Sequence, residues 1–155
     1  MKAVIELNLT LQISRRLGAV TLLASGLVHL KEYFDGYAEL PVIGLLFLLN
    51  FLGAVVLAVV LLLPTERILH RYGTILVTLS AIAGIGMSLM SLVMLAIAER
   101  QPVFGFMEPG FHPGMILLAR ITEVLTVVLL GAFLITLLVR HRRRINGRGT
   151  HVETA

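Results

Sequence analysis

Four long apolar stretches divide the chain, at about 17–33, 41–63, 72–98 and 113–139. Each approaches the roughly 20 apolar residues that a helix needs to cross a bilayer core. Prolines punctuate their ends. Pro41 suits a first helical turn, where a missing N–H costs nothing. Pro64 stops the second stretch, and Pro102, Pro109 and Pro113 break up the segment before the fourth. The connections are short, which favours antiparallel neighbours. The pattern predicts an all-α protein: a four-helix transmembrane bundle, up-down-up-down. Residues 1–16 form a separate N-terminal segment in this reading. Ile5, Leu7, Leu9, Leu11 and Ile13 alternate there with polar residues, a strand signal. One subunit offers such a strand no pairing edge, so a short interfacial helix or an extended tail is expected. Residues 140–155 are basic and lack an apolar run, which predicts a disordered tail.

Composition supports the membrane reading. The hydrophobic set makes up 57% of the residues and the charged set 14%, too few charges to cover a soluble domain of this size. Charge placement then gives direction. Lys2, Arg15 and Arg16 precede the first stretch, Arg67 and Arg71 separate the second and third, and Arg140, Arg142, Arg143, Arg144 and Arg148 follow the fourth. The opposite side carries Glu32, Asp35, Glu39, Glu99 and Glu108 against Lys31 and Arg100. Basic residues stay cytoplasmic, so both termini are expected inside a bacterial plasma membrane. The basic run Arg140–Arg144 reads as a contact for anionic lipid headgroups, not nucleic acid. Cysteine is absent, which excludes disulfides and thiolate chemistry.

Small residues mark helix contact faces. Ser80, Gly84 and Ser88 are spaced by four in the third stretch, and Gly53, Ala54 and Ala58 share a face of the second. Such faces pack the bundle internally or serve self-association. Met87, Met90 and Met94 read as core filling, with Cu(I) ligation as the alternative.

Polar groups inside the spans are expensive and need individual reasons. Arg120 and Glu123 lie at i,i+3 in the fourth stretch and can meet. They form either an internal ion pair or a charge pair that also holds a ligand or passes a proton. Thr21, Ser25, His29 and Glu32 form a stripe on the first stretch, and Asn50 sits mid-span in the second. Glu108 and His112 lie in the loop over the same, outer end. The polar groups therefore converge in the outer half of the bundle. His29 with His112 suggests a haem, and His29, Glu32, Glu108 and His112 a metal, but neither set has a recognised ligand spacing. No metal or resident cofactor is predicted. A polar or acidic headgroup held by Arg120 with His29 needs no special spacing. No nucleophile elbow, phosphate loop or HExxH motif occurs.

Arg16-Leu17-Gly18 followed by Gly26-Leu27-Val28-His29-Leu30 resembles the first helix of DoxX-like membrane proteins. The run from Gly36 to Asn50, Gly105-Phe106-Met107-Glu108 and the later Glu123 resemble uncharacterised four-helix proteins of actinobacterial type. The resemblance implies a four-helix bundle, and quinone-linked redox chemistry for some DoxX-like members. From the residues themselves, the expected function is binding of a lipid, a quinone or a partner membrane protein at the outer polar zone. A DoxX-like redox subunit and a proton or ion pathway through Arg120, Glu123 and His29 are the alternatives.

Overall fold

The computed structural model describes residues 2–69, 71–110 and 112–149. The chain is all-helical. Helix α1 is Lys2–Phe34; a 3-10 turn, Tyr37–Glu39, leads to α2, Pro41–Leu62. A short α3, Thr65–Ile68, precedes α4, Arg71–Ala98, and α5 is Pro113–Gly149. Pro41 and Pro113 each open a helix, and α2 ends just before Pro64.

Among the described residues three helices are long and apolar enough to cross a membrane: Pro41–Leu62, Tyr72–Ala98 and Pro113–Arg143. Their outward faces are apolar, as with Leu49 and Val56 on α2, Leu79 and Ile82 on α4, and Val128 and Ile135 on α5. Water-exposed proteins rarely show an apolar surface this continuous. The expectation of four spans is met in three places. Helix α1 differs because charges crowd both ends of its apolar run. Only residues 17–30 lie between Arg16 and Lys31, about 21 Å of helix against a core of about 30 Å.

The N-terminal segment is helical, as one of its two expected forms, and α1 runs unbroken through it into the first apolar stretch. The alternation was ambiguous for a simple reason. Residues spaced by two are also spaced by four, so Ile5, Leu9, Ile13 and Leu17 form one exposed stripe of a helix. Leu11, Ser14, Ala19, Leu22, Ser25, His29 and Glu32 form the buried stripe. The basic tail is likewise helical to Gly149, an extension of α5 and not an irregular end. Residues 150–155 of the predicted tail lie outside the described residues.

The core is a small-residue seam with large side chains set into it. Ala54, Ala58, Ser80, Gly84 and Ser88 are buried, as their spacing predicts. Gly26 faces Ala54 so closely that an added Cβ would sit 2.6 Å from the alanine's Cβ. At Gly18 an added Cβ would meet the Leu130 side chain at 2.5 Å. These glycines bring α1 close to α2 and α5, where dispersion and hydrogen bonds can act between helices. One such polar contact joins the Thr21 and Thr126 hydroxyls, 3.0 Å apart.

The C-terminal end of α2 shows why Arg15 matters beyond topology. The last carbonyls of a helix have no partners within it. Arg15 Nε donates to the Leu61 carbonyl at 2.6 Å, and a terminal guanidinium N–H donates to the Leu63 carbonyl at 2.7 Å. The Thr65 hydroxyl donates to the Val60 carbonyl at 2.8 Å. A cation at this end also complements the helix dipole. Arg15→Ala is expected to lower stability by about 1–2 kcal/mol. Arg16→Ala, at an exposed position, is expected to change it by less than about 0.5 kcal/mol. Equal losses in a denaturant titration of the two purified variants would show that the Arg15 contacts contribute nothing.

Candidate functional site

A cavity of about 350 Å³ opens between α1, α2, α4 and the start of α5. That volume falls within the usual range for small-molecule sites. Its walls are mainly apolar, from Leu46, Leu95, Ile116 and the methionines 87, 90, 94 and 115. His29, Glu32, Asn50, Ser91, Tyr37 and Glu108 supply polar groups. Of the polar residues singled out from sequence, four therefore share one cavity: His29, Glu32, Asn50 and Glu108.

His29 is buried on α1, and its ring is held at both nitrogens. Nδ1 lies 2.9 Å from the Ser25 carbonyl. A carbonyl only accepts, so Nδ1 carries the proton. Nε2 lies 3.1 Å from the Ser91 hydroxyl and 3.7 Å from Glu123 Oε1. Glu123 is almost wholly buried, and neither carboxylate oxygen has a hydrogen-bond donor. A bare carboxylate there would carry a large desolvation cost. His29, Ser91 and Glu123 thus form a buried trio from α1, α4 and α5.

The predicted meeting of Arg120 with Glu123 is overturned. Arg120 instead pairs with Glu99 at the end of α4, and both side chains are partly exposed. Helical side chains lean toward the N-terminus of their helix, which carries Arg120 toward the end of α4 where Glu99 sits. Glu123, on the next turn, points inward. A rim pair of this kind contributes at most about 1 kcal/mol. It also means that Arg120 with His29 does not form a cradle for an acidic headgroup, because Arg120 does not line the cavity.

The loop after α4, through Val103, Phe106 and Glu108, roofs the cavity, and its geometry comes from a tight turn. Phe104 and Gly105 both take positive φ, 50° and 82°. Val103 N–H donates to the Phe106 carbonyl at 2.7 Å, and Phe106 N–H returns the bond at 3.0 Å. The two positive φ values match a primed hairpin turn, in which glycine fits at no steric cost. Val103 and Phe106 then face the cavity. Three contacts pin the segment. Glu108 N–H donates to the Ala98 carbonyl at 2.9 Å, the Tyr37 hydroxyl donates to the Glu108 carboxylate, and His112 Nδ1 lies 3.1 Å from Glu32 Oε2. The Tyr37 phenol is pushed well above its ordinary range, first by burial and then by its bond to Glu108, so it stays a donor.

The residues weighed for a haem or a metal do not converge on one point. His29 turns to Ser91 and Glu123, Glu108 to Tyr37 and Gly110, and His112 to Glu32. A different trio, Glu32, Asp35 and His112, offers one ligand atom each within 4.8 Å of one another. Its Asp35 is exposed and already paired with Lys31. Sequence reasoning missed Tyr37, Phe47, Ser91 and Phe106. Ser91 was within reach, one turn beyond the Ser80–Gly84–Ser88 row. Comparison with family models, curated proteins and solved structures finds no match to the chain.

Proposed function

We propose that the chain is a bacterial plasma-membrane protein that binds a small amphiphilic molecule in this cavity. In this reading all four long helices span the bilayer in an up-down-up-down bundle, with both termini cytoplasmic. Leu17, Val20 and Leu27 give α1 an exposed apolar face between its charged ends, which suits a short span flanked by interfacial charges. The N-terminal part of α1 and the basic end of α5 then lie at the cytoplasmic surface, where their arginines meet anionic lipid.

The observation that carries the binding reading is the contrast within one space. Apolar walls of tail-binding character surround a cluster of buried polar groups, and the Asn50 carbonyl oxygen and one Glu32 oxygen lack hydrogen-bond partners. Buried polar atoms in native proteins are almost always satisfied. A bound polar head toward which these two side chains turn supplies what the atoms lack. Below the cavity Leu22, Leu130 and Phe133 fill the core, which favours a binding site over a through-going pathway.

Native mass spectrometry of the protein in mild detergent tests this reading. Wild type is expected to retain a discrete small-molecule adduct, whose mass separates lipid from quinone. Ala119→Phe fills the cavity from α5 and is expected to remove the adduct without loss of the folded protein. An adduct of equal occupancy in Ala119→Phe would place binding elsewhere.

A further inference from the structure

We infer that the cavity selects an organic cation: a protonated amine or quaternary ammonium on an apolar body. This rests on the binding reading above and adds the sign of the ligand's charge. Three features of the cavity agree on that sign.

The first is the charge of the lining. Glu32 and Glu108 both contribute to the wall, and no lysine or arginine among the described residues does. Lys31 and Arg120 belong to the same end of the bundle but are engaged elsewhere, with Asp35 and Glu99. A water-excluding site lined by one sign of charge favours the opposite ion.

The second is the aromatic wall. Tyr37 stacks on Phe47 with ring centroids 4.8 Å apart, and Phe106 meets Tyr37 edge-on at 5.5 Å. His29 packs against the same Phe47 at 5.2 Å. Rings carry negative potential on their faces, and a face that turns to the cavity from this cluster attracts an ammonium group.

The third is an incompletely satisfied acid. Glu32 is more than nine-tenths buried; Oε2 meets His112, while Oε1 has no partner. Asn50 Oδ1 across the cavity wall is also without a donor. Both vacant atoms are acceptors, so they call for a donor or a positive charge. An anion would face two carboxylates and, among the described residues, no lysine or arginine.

Tetraphenylphosphonium and tetraphenylborate, ions of matched shape and opposite charge, test the sign directly. Neutral triphenylphosphine oxide reports the cavity without charge. Binding is measured by titration calorimetry on the purified full chain in dodecyl maltoside, with empty micelles subtracted. The phosphonium is expected to bind wild type at least roughly tenfold tighter than the borate or the oxide. Glu32→Gln should weaken the phosphonium by roughly tenfold and leave the oxide unchanged. Asn50→Asp adds an acid to the wall and should tighten the phosphonium, which keeps the test decisive if Glu32→Gln fails to fold.

Equal binding of all three probes, lost together in Ala119→Phe, would overturn the cation inference and leave the cavity reading standing. No binding of any probe to wild type would overturn both. The natural source of the cation is read by competition. Displacement of the phosphonium by phosphatidylethanolamine, and not by phosphatidylglycerol, assigns it to a lipid headgroup. Displacement by neither assigns it to a soluble amine, and displacement by phosphatidylglycerol alone overturns the inference.

Discussion

Replacing Gly26 with leucine is expected to destroy the bundle as a discrete folded species. An added Cβ at this position would stand 2.6 Å from the Ala54 Cβ and 3.5 Å from the backbone of Phe51. Neither neighbour is the end of a flexible side chain, so the helices themselves must move apart. Overpacking of a close seam costs about 1–3 kcal/mol, and sometimes more. Gly26→Ala already meets the clash and should lose stability in that range. Gly26→Leu should lose the sharp elution peak and the cooperative melt in detergent. Gly86 is the control, because an added Cβ there has nothing within 4 Å. Gly86→Ala should be neutral or slightly stabilising, since glycine is the weaker helix former. Melting curves in which Gly26→Ala and Gly86→Ala agree would mean that α1 and α2 do not meet at this point.

The second large effect is expected from removing one hydroxyl. Tyr37→Phe keeps the ring against Phe47 and Phe106 but deletes the donor to the buried Glu108 carboxylate. Glu108 keeps one bond, from Gly110 N–H at 2.9 Å. A buried acceptor that loses its donor costs about 1–3 kcal/mol, at the upper end for a charged group. The loss should fall locally on segment 99–112, which Glu108 anchors. Limited proteolysis there should accelerate markedly in Tyr37→Phe, and the melt should shift down. Tyr33→Phe, whose ring packs edge-on against Phe34, should leave both readouts close to wild type. An unchanged cleavage rate in Tyr37→Phe would show that the hydroxyl does not hold the segment.

Much of the fold was readable because the bilayer punishes irregularity. Long apolar runs ended by proline could only be helices, and the rows of small residues could only be contact faces. The ambiguities came where one pattern satisfied two geometries. Alternating Ile5 to Ile13 fits a strand at period two and a helix face at period four, and only the tertiary partners of Leu11 and Ser14 decide. The i,i+3 spacing of Arg120 and Glu123 permits contact but does not require it, and side-chain lean sent the two apart. The site was half legible. His29, Glu32, Asn50 and Glu108 announced themselves as polar groups in an apolar setting. Tyr37 and Phe106 did not, because their value depends on partners that the fold brings from the other side of the bundle. Glu108 and Tyr37, for example, are 71 positions apart in the chain.

The roof segment carries one more consequence. Glu32 and Glu108 face the cavity, and the same two acids fasten the segment above it, through His112 and Tyr37. The chamber and its cover therefore share their latches. A change at either carboxylate alters the wall of the cavity and the fastening of its cover together.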